Sequence, residues 1–187
     1  KIAKHVNHKY YDSLLCLAPY QWPFNTWLNQ IKYHQKFELA ALLAQIFCYH
    51  IANALTQSDS ENMLMINVPT HISRWQERGY NQAHLIAKHI AKQLNIRYRE
   101  DLIIRVKATE KQVGKNGVAR RKNLKNAFRL ADLNTLKKSE QWQNKHILLF
   151  DDVVTTGTTV NEIAKILKKL GVKQITVVAI ALAIEKI

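Results

Sequence analysis

Glycine and proline are scarce in this chain of 187 residues, with five and three respectively, which excludes collagen-like and low-complexity classes. Cysteine is scarcer still. Cys16 and Cys48 stand alone with no CxxC spacing, so neither a disulfide framework nor a zinc site built within this chain alone is expected, and both read as small buried hydrophobes in a reducing compartment. The longest unbroken apolar run, Val177 to Ile184, falls well short of the ~20 residues that a membrane-spanning helix requires. No basic stretch leads into an apolar run with a cleavage site near the N-terminus, and a cytoplasmic protein is the expectation. The eight histidines show no HxH or HExxH spacing; His84 and His89 read as surface or core-edge residues of a helix. Acidic residues are few: 14 Asp and Glu against 28 Lys and Arg leave a formal charge of +14, which favours anionic partners without choosing among them. What is present in quantity is apolar side chain, 47% of the total, enough to bury a core and to exclude global disorder.

The texture along the chain divides it at about residue 60. Residues 1–60 read as an N-terminal helical and aromatic elaboration, and residues 61–187 as the core. The first 27 residues are aromatic-rich and irregular, broken by Pro19 and Pro23, while Glu38 to Leu55 is rich in Ala and Leu and free of Gly and Pro, hence a buried helix. Met63 to Val68 is an apolar strand ending at Pro69. Ile86, Ile90 and Leu94 recur at helical spacing. Leu102 to Val106 and Phe128 to Ala131 read as short strands, with a basic, Gly-containing loop between them in which Glu110 is the single acid. His146 to Phe150 is a buried strand, Thr158 to Leu170 a helix with Gly171 at its C-cap, and Gln174 to Ala183 a last interior strand. Apolar strands alternating with helices predict an α/β fold with a parallel sheet covered on both faces.

The chemistry concentrates in His146-Ile-Leu-Leu-Phe-Asp-Asp-Val-Val-Thr-Thr-Gly-Thr-Thr159. An apolar strand delivers Asp151 and Asp152 to its carboxyl end, where open α/β sheets form their ligand crevice. Two adjacent acids there can accept hydrogen bonds from vicinal sugar hydroxyls or share a divalent cation. Thr155, Thr156, Thr158 and Thr159 supply hydroxyls, and the backbone around Gly157 opens a helix N-terminus, a nest for phosphate. Taken singly, an Asp-Asp pair is commonly solvated and a Thr-Gly-Thr is commonly a helix cap. Joined in this order after four apolar residues, they resemble the phosphoribosyl diphosphate (PRPP) signature of type I phosphoribosyltransferases.

Two further segments sharpen the resemblance. Val68-Pro69-Thr70 leads to Arg74 and Arg78-Gly79-Tyr80-Asn81-Gln82-Ala83; Gln112-Val113-Gly114 leads to Arg120-Arg121-Lys122-Asn123-Leu124 and Ala127-Phe128. Together with the PRPP signature, and with Ile31-Lys32-Tyr33 ahead of an Ala-rich helix, these segments resemble the competence protein F (ComF/GntX-like) family over residues 27–183. Two departures stand out. Many members begin with a four-cysteine zinc ribbon that is missing here, and Ala119 stands where the family carries an acid before Arg120.

The resemblance implies displacement of diphosphate from carbon 1 of PRPP with Mg²⁺, chemistry that needs positioning, leaving-group neutralisation and exclusion of water, with no protein nucleophile. By motif position Asp151 and Asp152, with Arg78, would be the catalytic group. The two acids would hold the ribose hydroxyls and the metal, largely through ligand and water, and Thr155, Thr156, Gly157, Thr158 and Thr159 the 5′-phosphate. Thr70, Arg74, Arg78, Lys111 and Arg120 would face the diphosphate, with residues 111–122 as a lid. Arg74 and Arg78 also fit a solvated helical face, the basic loop a solvated surface, and Asn81 a plain helix cap. The family also implies an association with natural competence and DNA uptake. A catalytically silent fold that binds single-stranded DNA, or that works with competence helicase machinery, is the alternative function, and homo-oligomerisation stays open.

Overall fold

The central apolar segments, Met63–Asn67, His146–Val154 and Gln174–Leu182, pair into a sheet because they are buried on both faces and have no polar alternation to leave one side wet. The computed structural model describes residues 6, 9–51, 54–55, 61–107, 124, 126–131 and 142–183. Their order is β1 (Ser13–Pro19), α1 (Phe24–His34), α2 (Glu38–Ile51), β2 (Met63–Asn67), α3 (Ile72–Arg78), α4 (Gln82–Gln93), β3 (Arg97–Arg99), β4 (Ile103–Arg105), β5 (Phe128–Leu130), β6 (His146–Val154), α5 (Thr158–Lys169) and β7 (Gln174–Leu182). Five strands form a parallel sheet in the order β1-β7-β6-β2-β3.

Two crossovers leave the middle of this sheet in opposite directions. From β2 the chain passes through α4 to β3 on one side, and from β6 through α5 to β7 on the other. Right-handed crossovers running in opposite directions put their helices on opposite faces. The core divides accordingly. Val160, Ile163, Ala164 and Leu167 of α5 pack on Ile147, Leu149, Ile175 and Val177. Across the sheet, Leu43 and Phe47 of α2 and Ile86 and Ile90 of α4 pack on Met65, Leu148, Phe150 and Val178. The adjacent ends of β2 and β6 are therefore the topological switch point, where α/β sheets open a crevice.

The expected α/β architecture is thus the one observed. Four strands differ from the sequence reading. Ser13–Pro19, within the stretch expected to be irregular, is a strand that pairs in parallel with β7, so the chain before residue 60 supplies an edge of the sheet as well as α1 and α2. The short strands β4 and β5 are not part of the parallel sheet; they pair antiparallel as a separate ribbon. Arg97–Arg99, too polar to stand out as a strand, closes the sheet beside β2. Among the described residues no helix is long and apolar enough to cross a membrane.

Candidate functional site

The hydrogen-bond ladder between β2 and β6 sets the first half of the site. Asn67 lies opposite Phe150, and the Val68 amide donates to the Phe150 carbonyl (2.8 Å), so Pro69 and Thr70 leave the sheet beside the point where Asp151 and Asp152 begin. The turn is tied down twice more, since Asn67 Nδ2 and Asn81 Nδ2 both donate to the Val68 carbonyl (3.1 Å each). Asn67 is itself oriented by Tyr98, whose hydroxyl donates to Asn67 Oδ1 (2.5 Å) and also meets His84 Nδ1 (2.8 Å). Tyr98 has one proton to give, so His84 Nδ1 carries the hydrogen of that contact, as its 2.7 Å approach to Glu100 Oε2 also requires.

The strand β6 carries the acids. Asp152 is 8% exposed and Asp151 is half-buried at the surface but set deep among protein atoms. Loss of water, followed by the charge of Asp152 beside it, raises the Asp151 pKa well above the usual carboxylate range, with Lys32 of α1 acting in the opposite direction. Cys16 and Asp151 flank Ala179 of β7 on its two sides in the sheet. Burial and then the Asp151 charge push the Cys16 thiol up to about 12, and burial pushes that of Cys48 to about 11. Both cysteines are free and half-buried thiols, held far from the thiolate form.

The turn after β6 reverses at Gly157, whose φ of 70° lies in the left-handed region that favours glycine. No side chain caps α5, so the amides that open this helix are not satisfied by the usual Ser, Thr, Asp or Asn oxygen. Thr156 and Thr158 hydroxyls hydrogen-bond to each other (2.9 Å) across the turn. Uncapped amides at the positive end of a twelve-residue helix are a fitting partner for a phosphate.

Of the residues expected at the diphosphate, Thr70 is half-buried in the turn between β2 and α3, and Arg74 lies within α3. Lys111 and Arg120, and with them the expected lid, lie outside the described residues. Arg78 ends α3. Its guanidinium lies 5.1 Å from the centre of the Tyr33 ring, and its Nη1 donates to Gln82 Oε1 (3.5 Å). Gln82 Nε2 in turn donates to Asp152 Oδ2 (3.3 Å). Asn81 is indeed the N-cap of α4, accepting from the Ala83 amide (3.0 Å).

Sequence reasoning missed two contributors. Gln82 is buried against Asp152, but the sequence reading has it only as a member of the segment from Arg78 to Ala83, with no role of its own. Lys32, quoted for its resemblance alone, brings its charge within reach of Asp151. The signal for Lys32 was its place four residues after Leu28 and beside Ile31, both buried, on a helix that packs over the sheet. The tie between α1 and the turn following α3 is tight. The Tyr80 hydroxyl donates to the Ile31 carbonyl, and Phe37 meets the Tyr80 ring edge-on at 4.9 Å.

Among the described residues no group of three or more His, Cys, Asp or Glu could hold a metal ion, so the protein makes no closed cage here. Two adjacent carboxylates suit a hard cation that takes most of its oxygens from phosphate and water, which is the usual habit of Mg²⁺.

A parallel sheet with paired acids and a phosphate-type turn at its switch point defines a type I phosphoribosyltransferase fold. A family profile described as phosphoribosyl transferase domain matches residues 81–187. Competence protein F of Haemophilus influenzae is 35% identical over 174 residues, covering 92% of this chain and 74% of that protein. DNA utilization protein YhgH of Escherichia coli O157:H7 is 32% identical over 168 residues, 89% of this chain and 70% of its own, and that of Salmonella typhimurium is also 32% identical over the same length. The chain belongs to the competence protein F family of phosphoribosyltransferase-domain proteins.

Proposed function

We propose that this protein binds a 5-phosphoribosyl compound, with PRPP as the parent ligand, in the crevice between the ends of β2 and β6. The observation that carries the reading is the join of Asp151 and Asp152 to the uncapped, glycine-turned start of α5 within a single strand–helix unit. The acids accept hydrogen bonds from the ribose hydroxyls, and the backbone of residues 155–159 with the hydroxyls of Thr155, Thr156, Thr158 and Thr159 receives the 5′-phosphate. The diphosphate then falls over the turn at Thr70, with Arg74, Lys111 and Arg120 as its candidate cations. Asp151 and Asp152 would hold Mg²⁺ chiefly through ligand and water. When bound, the ion neutralises charge on the departing diphosphate. The residues themselves orient the sugar and exclude water from carbon 1.

Whether the phosphoribosyl group is transferred or only recognised divides the reading. The relatives are named for competence and for DNA utilization, and we carry that association to this chain. A second reading, single-stranded DNA binding by the same fold, is favoured by Tyr33, which is 58% exposed and lies within cation–π reach of both Lys32 and Arg78.

Titration calorimetry with PRPP and Mg²⁺ tests the primary reading. Wild type binds. The double variant Asp151→Asn, Asp152→Asn remains folded and loses at least about tenfold in affinity, as removal of two charged acceptors requires. A folded wild-type protein with no detectable heat would end it.

A further inference from the structure

We infer that Gln82 is a positioning residue for Asp152, and that Arg78 serves the site through Gln82 and not as a ligand of the diphosphate. The inference rests on the ribose-binding reading above and assigns the way in which that reading's carboxylate is held.

Three contacts run in one line. The Tyr33 ring receives the Arg78 guanidinium at 5.1 Å, Arg78 Nη1 donates to Gln82 Oε1 at 3.5 Å, and Gln82 Nε2 donates to Asp152 Oδ2 at 3.3 Å. An amide side chain has an accepting end and a donating end, and only one of its two orientations is compatible with a guanidinium on one side and a carboxylate on the other. Arg78 therefore fixes which end of Gln82 faces Asp152. Gln82 is 8% exposed, so water does not readily replace either contact. Arg78 Nε is buried and without a hydrogen-bond partner among the described residues, which turns that edge of the fork into the protein and away from any incoming anion.

The outcome for Asp152 is a carboxylate with one oxygen occupied by Gln82. Rotation about the carboxyl torsion is thereby restrained, so the carboxylate meets the sugar hydroxyls in one orientation. Because Tyr33 belongs to α1, the relay also joins the N-terminal helices to the sugar site. The helix is further held by the Tyr80 hydroxyl on the Ile31 carbonyl.

Two ligands separate the relay from a direct diphosphate contact: PRPP, and ribose 5-phosphate, which lacks the diphosphate. Calorimetry is run on wild type, Gln82→Met, Arg78→Met and the double variant. The relay predicts that Gln82→Met, which keeps the length of the side chain but loses both the acceptor for Arg78 and the donor to Asp152, weakens both ligands by about tenfold. It predicts that Arg78→Met weakens both by the same factor as each other, and that the double variant is no weaker than Gln82→Met alone. Tyr33→Leu, at an exposed position that does not threaten the core, weakens both ligands by about threefold and decides the matter if a buried variant fails to fold. Arg78→Met that weakens PRPP and spares ribose 5-phosphate would make Arg78 a diphosphate ligand and overturn the relay, as would losses that multiply independently in the double variant. A wild-type protein that binds neither ligand overturns the ribose-binding reading itself, which is distinguishable from wild-type binding that the variants leave unchanged.

Discussion

The carboxyl group of Asp151 is deprived of water and set beside a second carboxylate, so the folded protein holds its proton to a higher pH than the unfolded chain does. Where the folded state binds more protons, stability falls as pH rises. The contribution is therefore most favourable near and below the ordinary carboxylate value of about 4 and is lost as pH climbs through the raised folded value. Asp151→Asn removes the ionisation and keeps the shape. We expect this variant to melt about 2–4 °C above wild type at pH 7, the shift that ~1 kcal/mol gives a domain of this size, and to show a melting temperature that falls less as pH rises above the ordinary carboxylate range. A variant less stable than wild type at pH 7 would contradict the account. A residue that costs stability where it stands is typical of sites kept for binding.

The unit of strand β6, turn and helix α5 is the element on which the proposed function turns. Gly157→Ala places a Cβ in the left-handed region at φ 70° and should cost about 1–2 kcal/mol by thermal melting. It should also weaken ribose 5-phosphate, because a strained turn moves the amides that open α5. Unaltered affinity in a destabilised variant would separate the turn from the ligand. This unit was legible in the sequence because its signals are local: an apolar run, two acids, a glycine, and apolar residues at helical spacing from Val160 to Leu167. Strand β1 was not, since Ser13-Leu-Leu-Cys-Leu-Ala-Pro19 sits among aromatics and prolines and acquires its strand geometry only by pairing with β7. Strand β3 is three residues with Arg at both ends, and what makes it a strand is the edge of β2. The role of Gln82 within the segment from Arg78 to Ala83 was illegible for a related reason. Its partners, Arg78 and Asp152, are 4 and 70 positions away in sequence, and the second separation has no local signature.

Charge belongs to the whole molecule. With +14 spread over 187 residues, the protein presents an attractive field to any polyanion. If a phosphodiester backbone is bound, its affinity must fall steeply with salt, by roughly 0.7 log units per log unit of salt for each phosphate neutralised on a single strand. Fluorescence anisotropy with a labelled single-stranded oligonucleotide should then show binding at ~50 mM salt that is lost toward ~200 mM. No binding at the lower salt would remove the second reading and leave PRPP recognition untouched. The fold places the aromatic helices α1 and α2 on one face of the sheet and α5 on the other, so a sugar held at the switch point would have Tyr33 and Arg78 on the α1 side and the start of α5 at its phosphate end. The account's central claim is that this cup receives a phosphorylated ribose. A crystal soaked with ribose 5-phosphate tests it most directly: the account predicts sugar density against Asp151 and Asp152 with the phosphorus at the amides that open α5, and an ordered ligand at any other position, or no ligand density after a saturating soak, would contradict it.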